Sequence, residues 1–123
     1  MPVQENRIVM INIAVTDLDQ SRRFYEDVLN VQFAEERHDD GPTHLNATFG
    51  EWTRRVGFIS LWPNNDRAGT TDIGFLVEDV DRAYERALAA GAGDVSVPQD
   101  VEGMPRNAQV TDPSGNHIGL YQG

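Results

Sequence analysis

One pattern occurs twice, sixty-two residues apart. Met10-Ile-Asn-Ile-Ala-Val-Thr-Asp-Leu-Asp19 leads into a helical stretch ending near Leu29. Asp72-Ile-Gly-Phe-Leu-Val-Glu-Asp-Val-Asp81 leads into another ending near Gly91. Each copy reads as strand, acidic turn, amphipathic helix. A unit this small cannot bury its apolar face alone and must pack on its neighbour. With strands filling the rest of the chain, the repeat predicts an α+β fold. Two tandem βαβββ modules would form a curled mixed sheet with helices on its outer face and a site between the modules. The chain of 123 residues is then one domain: module one about 7–63, a linker about 63–70, module two about 71–122.

Local chemistry places the elements. Residues 1–7 read as a polar leader and 8–16 as the first strand. Asp17 or Asp19 can cap the first helix, whose apolar stripe is Leu18, Phe24, Tyr25, Val28 and Leu29. Asn30 suits a left-handed stop. Strands are expected at Phe33–Arg37, Thr43–Phe49 and Arg54–Trp62, with His38-Asp-Asp-Gly-Pro42 as a turn. In the second module Val80, Ala83, Tyr84, Ala87 and Leu88 form the stripe and Gly91 the stop. A short strand at Val95–Val97, a loop from Pro98 to Pro105, and a hairpin around Asp112-Pro-Ser-Gly115 complete it.

Strand parity separates two faces, because neighbouring side chains point to opposite sides of a sheet. One face holds Ile11, Ile13, Val15, Ile59, Leu61, Ile73, Phe75, Val77, Ile118 and Leu120; it must carry the helices. The other holds Met10, Asn12, Ala14, Phe58, Ser60, Trp62, Asp72, Gly74, Leu76, His117, Gly119 and Tyr121. His44 falls on this second face by the parity of its strand. Mixed aromatic, small and polar lining suits a small-molecule cup, and it equally suits an interface between modules or copies.

Composition narrows the partners. A net charge of −10 runs against the positive charge that binding a phosphate backbone requires, so no nucleic acid is expected. No apolar run reaches membrane-spanning length, so no membrane partner is expected either. The opening Met-Pro-Val-Gln-Glu-Asn6 lacks the charged-then-apolar order of a secretion signal, and a cytoplasmic protein is expected. Cysteine is absent, which excludes disulfides and thiolate metal sites. All ten basic residues are Arg, which removes lysine Schiff-base chemistry.

Ile-Ala-Val-Thr-Asp17-Leu-Asp, with Ser21, Phe24-Tyr25, Leu29 and Asp112-Pro-Ser-Gly-Asn-His-Ile-Gly-Leu120, resembles the vicinal oxygen chelate superfamily. That superfamily includes glyoxalase I, extradiol dioxygenases, fosfomycin-resistance enzymes and bleomycin-resistance proteins. The resemblance spans nearly the whole chain and implies paired βαβββ modules around a cleft, often completed by a homodimer. Its metal-dependent members take ligands from the first and last strands of each module. The matching positions here are Met10, Ser60, Asp72 and Gly119. Glycine offers no donor, serine is a poor one, and a thioether prefers copper(I), so only Asp72 qualifies for a divalent ion. No metal and no cofactor are expected at this quartet.

The resemblance and the parity together nominate Asn12, His44, Phe58, Ser60, Trp62, Asp72, His117 and Tyr121 as ligand-binding residues. Asp72 is also the candidate catalytic residue: set among Phe58, Trp62 and Leu76, its carboxylate is expected to be partly desolvated. It would act as a general base or pair with a cationic ligand. Trp52 would stack on a ligand or pack at an edge, and Arg54 and Arg106 would meet an anionic group or water. His38 reads as an exposed turn residue.

Two functional readings follow. In the first, the protein is a metal-free homodimer of the bleomycin-resistance type that sequesters a cationic or aromatic small molecule. In the second, it is a glyoxalase-like lyase, isomerase or natural-product tailoring enzyme, working without metal or through a metal site placed elsewhere. An interaction module whose cup is filled by residues 98–105 is the third, plainer possibility.

Overall fold

Each acidic turn ends a strand by capping the helix behind it. Asp17 and Asp79 are in extended conformation, and their carboxylates accept the backbone N–H of Gln20 and Arg82. The caps satisfy donors that a helix start would otherwise leave unpaired. The computed structural model describes residues 10–48 and 58–123. The order is β1 (Met10–Val15), α1 (Leu18–Leu29), β2 (Ala34–Glu36), β3 (His44–Thr48), β4 (Phe58–Pro63), β5 (Asp72–Val77), α2 (Val80–Ala89), β6 (Gly93–Gln99), β7 (Asn107–Thr111) and β8 (His117–Gln122). The expected βαβββ order therefore occurs twice among the described residues.

Both helices stop by left-handed geometry. Asn30 adopts φ 54° and its N–H bonds to Glu26 O. At the end of α2, Gly91 has φ 96°, and the N–H groups of Gly91 and Ala92 bond back to Leu88 O and Ala87 O. That pair of bonds is a Schellman closure, which needs a residue without a Cβ penalty at the αL position.

The strands form two four-stranded mixed sheets, ordered β1-β4-β3-β2 and β5-β8-β7-β6. The β1–β4 and β5–β8 pairs are parallel and the others antiparallel. Parity is as expected from the sequence. Ile13, Val15, Ile59, Leu61, Ile118 and Leu120 are fully buried, and Ile11, Ile73, Phe75 and Val77 pack against them. The helices supply Phe24, Tyr25, Val28, Val80, Ala83 and Ala87 to this same core, and α1 packs against α2. Full burial of each large apolar side chain contributes about 1.5–3 kcal/mol.

One strand is longer than expected: β6 runs over seven residues, not the three from Val95 to Val97, and takes in Pro98. It is a sheet edge whose register to β7 shifts between Asp94 and Ser96 and again between Ser96 and Gln99. An irregular edge tolerates a residue without an N–H, so the proline does not end the strand.

The turn after β7 joins the two modules. Asp112 Oδ1 accepts the N–H groups of Ser114 and Asn116, and Oδ2 accepts the hydroxyl of Tyr25 on α1 at 2.6 Å. Asn116, fully buried, donates to Ala14 O of β1 at 2.8 Å and accepts the N–H groups of Gly69 and Thr71. Ser114 Oγ accepts the N–H of Thr16. Gly115, at φ 89°, makes the turn tight enough for these contacts.

Two measurements check this joint. Tyr25→Phe leaves the buried Asp112 carboxylate one donor short and should lower stability by about 1.5–3 kcal/mol, read as a lower urea midpoint at constant slope. Burial, and then the Asp112 carboxylate, push the Tyr25 phenol well above its ordinary value. The folded protein therefore keeps that proton where the unfolded chain releases it. This contribution is whole below about pH 10 and is lost as pH rises further, so alkaline destabilisation should be smaller in Tyr25→Phe.

Candidate functional site

The concave face of the β1–β4 sheet carries two rows of side chains fixed by register. Asn12, Ser60, Asn46 and Ala34 are cross-strand neighbours in one row. The next row brings Ala14 opposite Trp62 and Glu36 opposite His44. Within the first row Ser60 Oγ donates to Asn46 Oδ1, and Asn46 Nδ2 crosses to the second row to donate to Glu36 Oε2. Glu36 Oε1 is 2.6 Å from His38 Nε2. A polar chain thus crosses three strands and ends at an exposed imidazole.

The second row is aromatic. His44 is 2% exposed and stacks on Trp62, ring centroids 3.7 Å apart and planes 10° apart. The His38 ring lies 5.2 Å from that of His44, tilted by 30°. The His44 ring therefore has two aromatic neighbours and a carboxylate beside it. The indole N–H of Trp62 is buried without a partner among the described residues. Flat apolar surface next to oriented polar groups is the makeup of a small-molecule surface.

The second sheet is built differently. Asp72 Oδ1 lies 2.9 Å from His117 Nδ1. The expected shielding of Asp72 is not found: its side chain is 80% exposed. It opens β5, an edge strand, so parity puts it on the concave face while nothing covers it. Leu76, two pleats along, is 76% exposed. Tyr121 lies over Gly74 and Gly119: a Cβ on those glycines would sit 2.9 and 2.7 Å from its Cε2. Its hydroxyl is near Gln109 Nε2, which also donates to Asn107.

This arrangement does not fit the metal quartet implied by the family resemblance. The Gly119 position faces the Tyr121 ring, Ser60 is engaged with Asn46, and Asp72 is paired with His117. Met10 is 45% exposed and adds only a thioether. Among the described residues, the three donors brought within 4.8 Å of one another are Glu36, His38 and His44, not His44 with Asp72 and His117.

Of the other sequence candidates, Asn12 is exposed on β1, and Phe58 is placed by backbone pairing alone, opposite Met10 and Thr48. Trp52 and Arg54 lie outside the described residues. Arg106 grips Asp81 with two bonds of 2.9 Å, so its guanidinium is engaged within the chain. That bond to Arg106 lowers the Asp81 carboxyl below its ordinary value. His38 was expected only as an exposed turn residue, and its grouping with Glu36 and His44 comes from the hairpin. Glu-x-His followed by Asp-Asp-Gly-Pro42 and then His44 was the available signal, because a hairpin closed there sets residues 36 and 44 face to face. A groove of about 730 Å³ lies elsewhere, between the end of α1 and the start of α2. Glu78, Asp79, Arg82 and Arg86 line it without an aromatic ring, so it lacks the flat surface of the concave face.

Solved structures share this fold. An antibiotic-binding protein, TnmS3, from Streptomyces sp. CB03234 superposes with TM-score 0.73 at 21% identity, covering 98% of each chain. A glyoxalase-related enzyme from Fulvimarina pelagi gives TM-score 0.74 at 17% identity, covering 97% of this chain and 89% of that one. A superfamily member from Sphaerobacter thermophilus DSM 20745 gives 0.74 at 18%, covering 97% and 98%. At these identities the likeness is one of fold. No curated protein matches the sequence. Residues 7–120 match the model of the Glyoxalase/Bleomycin resistance protein/Dioxygenase superfamily, and the chain belongs to that superfamily.

Proposed function

We propose that the protein binds and sequesters a small molecule carrying a flat ring and a cationic group. The observation that carries this reading is the His44–Trp62 stack set beside the Glu36 carboxylate on the concave face of the first sheet. Stacking surface supplies affinity for a ring, and a neighbouring carboxylate favours a cation. The net charge of −10 adds a long-range attraction for the same class of molecule. The fold shared with an antibiotic-binding protein supports sequestration as the purpose.

In this reading Asn12, His44, Phe58, Ser60 and Trp62 form one wall. A second copy in a cytoplasmic homodimer brings Asp72, His117 and Tyr121 opposite it. The exposed apolar side chains of Leu76, Val95 and Val97 favour such a partner surface.

A panel of aromatic natural products, cationic and neutral, should be titrated into chelator-treated protein and read by thermal shift and calorimetry. Trp62→Ala should weaken binding about tenfold, equivalent to about 1.4 kcal/mol. Asp72→Asn should weaken cationic ligands more than neutral ones of the same shape. Equal affinities in wild type and both variants would reject this site.

A second reading rests on the His117–Asp72 pair. With Nδ1–H donating to the carboxylate, Nε2 keeps a lone pair and the imidazole is oriented as a general base. Metal-independent proton abstraction from a bound substrate, as in a lyase or isomerase, would then vanish in His117→Ala while ligand affinity changes less than threefold. Turnover that survives His117→Ala would exclude this base.

A further inference from the structure

We propose that Glu36, His38 and His44 bind a divalent transition-metal ion of the zinc, cobalt or nickel class. The site lies off the first- and last-strand quartet, on the β2–β3 hairpin. One donor atom from each residue lies within 4.8 Å of the other two. Around a tetrahedral zinc ion, with donors about 2.0–2.2 Å from the metal, the donors sit roughly 3.3–3.6 Å apart. Forming the site therefore takes shifts of about 1 Å: the 2.6 Å Glu36–His38 contact opens and the longest donor separation shortens. The exposed His38 side chain is free to make them, since it sits on a turn instead of in a packed core.

The other two donors are already held. Glu36 and His44 are register partners across the hairpin. Asn46 binds Glu36 Oε2, and Ser60 in turn binds Asn46, which leaves Oε1 toward His38. The His44 ring is fixed by its stack on Trp62. Hydrogen bonds that orient a ligating carboxylate are the outer-shell support a metal centre needs. The turn itself is closed by Gly41 N–H bonding to His38 O at 2.8 Å and by Arg37 bonding to Gly41 O. Asp39 and Asp40 beside it make the approach favourable to a cation.

Two imidazoles and one carboxylate suit intermediate divalent ions better than calcium or magnesium, which prefer all-oxygen shells. Three protein donors leave a coordination position for water or for an oxygen or nitrogen donor of a bound molecule. That position would sit on the same face as Trp62. The ion would share Glu36 and His44 with the proposed ligand surface and would compete there with a cationic group, so its test uses the metal alone.

Tag-free, chelator-treated protein should be titrated with zinc(II) by calorimetry and with cobalt(II) by visible absorption. The expected result is one ion per chain, with affinity at least ~10-fold weaker in His38→Ala and in Glu36→Gln. Asp66→Asn, at an exposed linker position, serves as the control and should bind as the wild type does. In a Trp52→Phe background, nickel(II) should quench the remaining Trp62 fluorescence, and His38→Ala should need about tenfold more nickel for the same quenching. No binding, binding unchanged in both hairpin variants, or binding lost equally in Asp66→Asn would each overturn the proposal. Circular dichroism of His38→Ala, whose side chain lies at the surface, shows whether the fold survives. If the variant does not fold, Glu36→Gln decides, by calorimetry and by the nickel needed to quench Trp62.

Discussion

The buried Asp112–Asn116 turn is the contact on which the rest of the architecture depends. A carboxylate and a carboxamide are taken out of water, and each must find partners or cost several kcal/mol. They find them on both sides of the molecule: the α1 phenol, the end of β1, the linker and their own turn. The two modules are thereby tied to one another by directional bonds. The core built around this joint is general in character, because apolar burial is not directional. The polar turn supplies the specificity that burial alone does not.

With the joint in place, the two sheets present unlike concave faces. In the first, β3 and β4 lie inside the sheet, and their side chains Ser60, His44 and Trp62 are buried or half-buried and mutually engaged. In the second, two glycines leave room for Tyr121, and the carboxylate that begins β5 stands in water. The four positions matching the superfamily's metal ligands carry a thioether, an engaged hydroxyl, a paired carboxylate and a glycine against the Tyr121 ring. Donor chemistry gathers instead at a hairpin that those positions never use.

Much of this was legible in the sequence, for definite reasons. The sixty-two-residue repeat gave the element order. Alternation identified the core face, since a pleated strand leaves no freedom over which side a residue takes. Asn30 and Gly91 marked their helix ends because few other residues take positive φ cheaply. What parity does not report is exposure. It put Asp72 on the concave face without showing that an edge strand would leave it uncovered. Nor does composition report register: the Glu36–His38–His44 group exists only because the hairpin closes with residues 36 and 44 opposite each other. The length of β6 was hidden for a similar reason, as Pro98 reads as a breaker until the neighbouring register shifts are known.

The central claim is that the concave face of the β1–β4 sheet is where this protein meets small molecules. The most direct test is a two-dimensional proton–nitrogen spectrum followed while a binding member of an aromatic ligand panel is added. The account predicts that the Trp62 indole signal and the amides of His44, Asn46 and Ser60 move first and furthest. Shifts confined to the α1–α2 groove around Asn30, Arg82 and Arg86, with the Trp62 indole signal unmoved, would contradict it.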